Sequence, residues 1–174
     1  MFDKEYTFKG IHAEKVKKLT SKFNDDISSL FSRNMDVYIL APIIGFLYQK
    51  KSQLDQGNET TKIFVDVMIK EQSTLKFIYN LIILLDEKHE KEFEKRCDKA
   101  FRNFGTQQSK KDEELFEEYV RGGVEILYEK LLGDITNIDS YLINLYELID
   151  EINTRYNDKI TMDSLIDLCK LASD

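Results

Sequence analysis

Carboxylates at fixed spacing are the first residues in this chain that could do chemistry. Glu113-Glu114-Leu-Phe-Glu117, followed by Glu147-Leu-Ile-Asp150, places acids where two helices could hold magnesium against a triphosphate. That is the arrangement of magnesium-dependent nucleotide pyrophosphohydrolysis, since hard oxygen donors suit the cation and the spacing keeps them on one helix face. The register argues against it. If the two helices turn near Asn137, Glu117 lies about 20 residues before the turn and Glu147 about 10 after it, a mismatch of roughly 15 Å at ~1.5 Å per residue. The acids also fall away from the Phe116/Val120 and Leu145/Ile149 stripes, on the side where surface acids belong. A chain with 32 acidic residues produces such patterns by chance.

Other chemistries lack a member. A di-iron bundle needs paired Glu-x-x-His motifs, and Asp86-x-x-His89 stands alone as a substituted analogue; His12 has no acid three residues before it. The simpler reading of His89 is an exposed residue at a helix junction. Helical ribonucleases place an Arg-polar pair shortly before a His, but neither Arg33-Asn34 nor Arg102-Asn103 is followed by one. There is no GxSxG, and neither His has an evident Ser or Cys partner. Gly122-Gly123 has no phosphate-loop lysine and no preceding strand. Cys97 and Cys169 lack a CxxC or a Cys/His cluster; two thiols in a reducing compartment are favoured over a single bridge. The sequence therefore predicts no catalytic residue, no metal site and no cofactor, in a chain that is not an enzyme.

Binding remains. A net charge of −7 and a pI near 5.0 weaken non-specific attraction to nucleic acid and fit a protein partner, with DNA reached through that partner. The cationic groups that could touch nucleic acid directly are the Lys15, Lys17, Lys18 and Lys22 cluster and Lys50-Lys51; a solvated face is the better reading of the first, because Glu14, Asp25 and Asp26 offset its charge. A candidate partner-docking surface is Tyr38, Ile44 and Tyr48, although most of that segment reads as core. Self-association into a homo-oligomer is compatible with the same pattern. No membrane role is expected: the longest apolar run, Leu75 to Leu85, contains Lys76 and Asn80 and falls short of the ~20 residues a span needs. The first residues lack the order of a signal peptide, so the expected location is cytoplasmic.

These groups must be positioned by helices. One proline and seven glycines in 174 residues leave almost no vocabulary for strands and turns. The expected fold is all-α: a single domain over 1–174, a bundle of about six to eight helices with a short extended arm at 1–11 and loops at 52–60 and 103–111. Val16, Leu19, Phe23, Ile27 and Leu30 predict a helix from His12 to Phe31. Asp36 to Lys51 follows, capped by Asp36 and bent at Pro42; the alternative puts Pro42 at the first helical position with Asp36–Leu40 extended. Thr61 to Glu71 shows Ile63, Phe64, Val67 and Met68 on one face. Leu75 to Asp86 is apolar nearly all round and predicts a buried central helix. An amphipathic piece with Phe93, Cys97, Ala100 and Phe101 inward leads to Gly105. Long helices are expected over Asp112–Leu132 and Asp139–Tyr156, the second with Leu142, Leu145, Ile149, Ile152 and Tyr156 inward, then a short one capped by Thr161 with Leu165, Leu168 and Leu171. The Gly122-Gly123 pair costs about 1 kcal/mol per residue against alanine, which close approach of another helix or a local bend explains.

Within this frame, Asp36-Val37-Tyr38…Ala41…Gly45-Phe46 resembles a stretch of small accessory proteins encoded beside bacterial DNA phosphorothioation (Dnd) systems, the "Dnd system-associated protein 4" type. Pro42 departs from that pattern. The resemblance implies a non-catalytic component of a phage-defence or DNA-modification locus that works by contact with partner proteins or DNA, and it carries over no site residue. The expected function is an accessory interaction subunit of a bacterial defence or DNA-handling complex. The alternatives are a helical DNA-binding protein, an acidic phage-encoded inhibitor imitating DNA, and an all-α magnesium-dependent nucleotide pyrophosphohydrolase.

Overall fold

Tyr6 to Lys9 forms a strand, β1, with a definite partner in place of a free arm. That partner is β2, Thr60–Ile63, where β-branched residues favour extended backbone. The two run antiparallel, with Tyr6 opposite Ile63 and Lys9 opposite Thr60. The structure, a computed structural model, describes residues 1–22, 29–133 and 138–157. Among them are seven α-helices: α1 (Gly10–Thr20), α2 (Asn34–Leu47), α3 (Val65–Lys70), α4 (Gln72–Leu85), α5 (Phe93–Cys97), α6 (Lys110–Leu132) and α7 (Ile138–Asn157). A π-helical turn, Asp98–Arg102, extends α5, and a 3₁₀ turn, Gln107–Ser109, leads into α6. The all-α expectation holds, with one small sheet added to it. The pairing of β2 also corrects the helix expected over Thr61–Glu71, which starts only at Val65.

Contacts divide the chain into Met1–Glu129 and a second unit from Lys130 onward, where the sequence predicts one domain. The core of the first unit is aromatic. Phe2, Tyr79 and Phe116 meet edge-on or tilted, with centroids 5.6 to 6.5 Å apart, and Phe104 stacks on Phe2. Tyr6, Phe8 and Tyr38 form a neighbouring cluster at 4.5 to 6.0 Å. Each fully buried ring of this size contributes about 2–3 kcal/mol through apolar area alone.

Helix α1 stops at Thr20, short of the expected Phe31, because Ser21 turns to extended backbone and both its N–H and its hydroxyl bond the Lys18 carbonyl. Its other end is held from a distance. Gly10 takes φ +54°, which a side chain resists, and the Ile11 N–H donates to Asp55 Oδ2 at 2.6 Å. Gly57 N–H donates to the other oxygen at 3.1 Å, and these backbone donors hold the Asp55 carboxyl below its ordinary value. Helix α2 runs through Pro42, so the extended alternative for Asp36–Leu40 does not occur. The cap is Arg33 instead of Asp36: Asp36 sits three residues in and accepts from the Arg33 N–H at 2.9 Å and its guanidinium at 2.6 Å.

Two glycines let α2 and α6 cross backbone to backbone. A Cβ at Gly45 would overlap the Tyr119 carbonyl, and one at Gly123 would overlap the Ala41 carbonyl. Gly122 meets the Lys50 carbonyl in the same way, so close approach is what the glycine pair serves. In the second unit, Tyr141 and Leu148 are the buried residues of α7, while Leu142 and Ile149, expected inward, are exposed. Glu151 there meets Lys130 and Arg155 at 2.7 and 2.6 Å. Phe23, Ile27, the turn near Asn137, the Tyr156 side chain, Cys169 and the helix expected from Thr161 lie outside the described residues.

Candidate functional site

The inner face of α4 is core: Leu75, Ile78, Tyr79, Ile82 and Ile83 are buried. Its outer face is not, and this corrects the expectation of a helix buried all round. Phe77, Leu81 and Leu85, at spacings of four, are 67%, 39% and 51% exposed. They make an apolar ridge of about 12 Å along the helix at ~1.5 Å per residue. Large apolar side chains left in water at regular spacing mark an interaction surface more strongly than scattered single residues do. Phe64, Val65 and Ile69 are exposed on and just before α3, and Phe93 and Phe101 on α5 and the π turn.

A second feature lies on α6. Lys110, Glu113, Glu114, Glu117 and Arg121 follow one helix face and, with Met1, Lys4 and Leu54, line a pocket of about 520 Å³. Of the acids expected on the open surface, Glu114 is exposed while Glu113 and Glu117 are half-buried. Tyr38 Oη donates to Glu117 Oε1 at 2.8 Å, whereas Glu117 Oε2 is buried with no hydrogen-bond partner. Burial pushes the Glu117 carboxyl above its ordinary value, against the pull of Tyr6, Tyr38 and Arg121. Burial, with Glu117 close by, also raises both tyrosines. An acid whose pKa is raised by folding binds its proton more tightly in the fold, so stability falls as pH rises from the unfolded value through the folded one. Glu117→Gln is expected to be more stable than the parent at neutral pH and to lose part of that downward slope, as read by urea denaturation from about pH 5 to 8.

The sequence-predicted contact residues are scattered. Tyr38 and Ile44, 1% and 2% exposed, face the interior, so a docking surface on them does not exist in the folded chain. Tyr48 is half-buried at the end of α2. The cause is the glycine crossing, which turns this face of α2 inward. Lys15 and Lys18 both lie over the Tyr128 ring, at 5.6 and 5.4 Å, and Lys17 pairs with Glu59. Lys22 is exposed just past the end of α1. The face stays cationic but is tied to neighbours.

Two histidine groupings appear, one of them unseen in the sequence. His12 Nε2 lies 3.2 Å from Ser52 Oγ and 3.1 Å from Glu125 Oε1, while Ser52 Oγ donates to Glu125 at 2.5 Å. A nucleophile triad needs acid and hydroxyl on opposite ring nitrogens. Here both meet the same one, Nδ1 is buried without a partner, and burial lowers the His12 pKa, keeping the ring neutral. The cluster ties α1, the loop after α2 and α6 together. Asp86 and His89 do not converge either. Asp86 accepts from Tyr119 Oη at 2.8 Å and from the His89 N–H at 3.1 Å, while the His89 ring bonds Asp112 at 3.0 Å. Among the described residues no group of three or more His, Cys, Asp or Glu could hold a metal ion. No helix among them is long and apolar enough to cross a membrane.

Set against known families, the chain matches the sequence model of one described as DNA sulphur modification system-associated protein 4, over residues 11–163. No curated protein and no solved structure matches it.

Proposed function

Because this chain belongs to the DNA sulphur modification system-associated protein 4 family, we propose that it is a non-catalytic subunit that works by binding another protein of that system in the bacterial cytoplasm. The observation that carries this reading is the exposed Phe77–Leu81–Leu85 ridge of α4. An apolar ridge gains free energy by leaving water, and a partner protein offers the means. Family membership supplies the class of partner. The chemistry of the interior points the same way: Ser52 and His12 are turned toward Glu125 instead of toward open space, and Glu117 is engaged by Tyr38.

The test is co-purification of the tagged full chain with co-expressed proteins of the sulphur modification system, at low and high salt. Association is expected to survive high salt, because apolar docking is weakly screened while phosphate contacts are lost steeply. The Phe77→Ser/Leu81→Ser variant is expected to bind about 30-fold more weakly or worse, the effect of removing interface anchors worth ~2 kcal/mol or more. Both residues are exposed, so helix content by circular dichroism should be unchanged. Recovery of DNA alone, released by salt and by charge reversal of Lys15 and Lys18, would overturn the reading in favour of direct DNA binding. An acidic inhibitor imitating DNA would bind protein but release it at high salt.

A further inference from the structure

We propose that the open face of α7 is the surface through which two copies of this chain pair, their α7 helices antiparallel. This goes beyond the accessory role and does not depend on the α4 ridge. Leu142, Leu145, Ile149 and Ile152 recur at alternate steps of three and four, the repeat of a coiled-coil seam. The fold covers only one side of that seam. Tyr141 and Leu148 are buried and Leu145 and Ile152 half-buried, whereas Leu142 and Ile149 are more than half exposed. Ile143 and Tyr146, the latter 71% exposed, widen the open side. Helix α7 is therefore apolar over two adjoining stripes, and the described residues cover one of them.

Area and charge both favour a second copy as the cover. At roughly 150–200 Å² for a large side chain, four that are more than half open offer on the order of 400 Å² of apolar surface per copy. Interfaces run about 60% apolar, so the footprint over both copies comes to roughly 1,300 Å², within the range of specific pairs. Each chain carries a net charge of −7, so two copies repel wherever their acids face one another. On α7 the acids Glu147, Asp150 and Glu151 flank the stripe of Leu142, Tyr146 and Ile149 without interrupting it.

The same acids choose the direction. In a parallel pair each would run beside its own copy, which costs free energy. An antiparallel pair about a two-fold axis between residues 145 and 146 brings Leu142 into register with Ile149 of the second copy. Glu147 then falls opposite Asn144, Asp150 opposite Tyr141 and Glu151 opposite Ser140. No acid meets an acid.

Sedimentation velocity of the full chain is the test. Between about 1 and 100 μM the protein is expected to pass from monomer toward dimer, the regime of a modest interface. Sodium chloride at about 0.5 M should leave the dimer intact or tighten it, since screening weakens the repulsion of two acidic chains and spares apolar contact. Leu142→Lys/Ile149→Lys is expected to weaken pairing at least 30-fold with helix content unchanged, because both positions are exposed in the single chain. Phe77→Ser/Leu81→Ser should pair like the parent. Register is read by mixing Leu142→Cys and Ile149→Cys chains under mild oxidation and locating the bridge by peptide mass. Bridges between the two variants are expected; bridges of either variant to itself at the new position overturn the antiparallel register. A monomer at every concentration overturns the proposal. Should that monomer lose stability on Leu142→Lys/Ile149→Lys, the stripe is covered by the same chain; should it lose co-purification instead, the stripe belongs to the protein partner. A dimer dissolved by Phe77→Ser/Leu81→Ser and untouched by the α7 variant also overturns the proposal, moving self-association to α4. Dimerisation without co-purification removes the accessory reading alone, and co-purification by a monomer removes this inference alone.

Discussion

Gly123→Ala is expected to lower the stability of the protein by about 3 kcal/mol or more, the upper end of what overpacking costs. The added methyl would overlap the Ala41 carbonyl oxygen, a backbone atom of α2 that cannot rotate aside. Relief requires that α2 and α6 move apart. That motion would unpack the rings packed about this crossing, including Tyr119 against Phe46. Gly45→Ala meets the Tyr119 carbonyl and should behave alike, and the two together should cost less than their sum because one separation relieves both. Gly122→Ala meets the Lys50 carbonyl, just beyond the end of α2 where the chain can yield, so a smaller loss is expected. Urea midpoints for the three single variants test this order.

A second large effect is expected at Arg96. The side chain is buried, and its Nε donates to the Leu84 carbonyl at 2.8 Å while Nη1 donates to the carbonyls of Glu90 and Lys91 at 2.9 and 2.8 Å. One guanidinium thereby closes the end of α4 against the segment that leads into α5. Arg96→Met keeps the apolar stem but leaves three carbonyls without their charged donor, a loss of about 3 kcal/mol. Arg96→Lys should rescue little, because a single ammonium lacks the fork that reaches three acceptors in different directions. Thermal melting gives the magnitude. Hydrogen exchange should show faster opening at the end of α4, and an unchanged rate there would contradict this account.

The long helices could be read directly. Phe116, Val120, Leu127 and Leu131 recur at helical spacing, and α6 and α7 begin and end within two residues of expectation. The glycine pair was also legible, because the cost of two glycines inside a helix needs a compensating contact. What escaped depends on residues distant in sequence. Ile63, Phe64, Val67 and Met68 fit a helix face, and only the presence of β1 more than fifty residues earlier turns the first of them into a strand. Glu117 looks like any surface acid until Tyr6 and Tyr38 are brought beside it. The same holds for α4: sequence records that Phe77, Leu81 and Leu85 are apolar but not that no described neighbour covers them. Arg96 gave no signal at all, since its partners are backbone carbonyls, which every residue has.

The pairing of Tyr6 with Ile63 sets an order of assembly during synthesis. Closing a loop of that length costs roughly 3.5 kcal/mol of chain entropy before any strand contact is gained. At about 5–20 residues per second, the ribosome takes roughly 3 to 11 s to extend the chain from Tyr6 to Ile63. By the end of that interval α1 and α2 have all of their residues, while the segment holding Tyr6 and Phe8 still waits as an open edge. Until Thr60–Ile63 is made, Tyr6 and Phe8 have no strand to pair with, so the aromatic cluster they build with Tyr38 can close only late in synthesis.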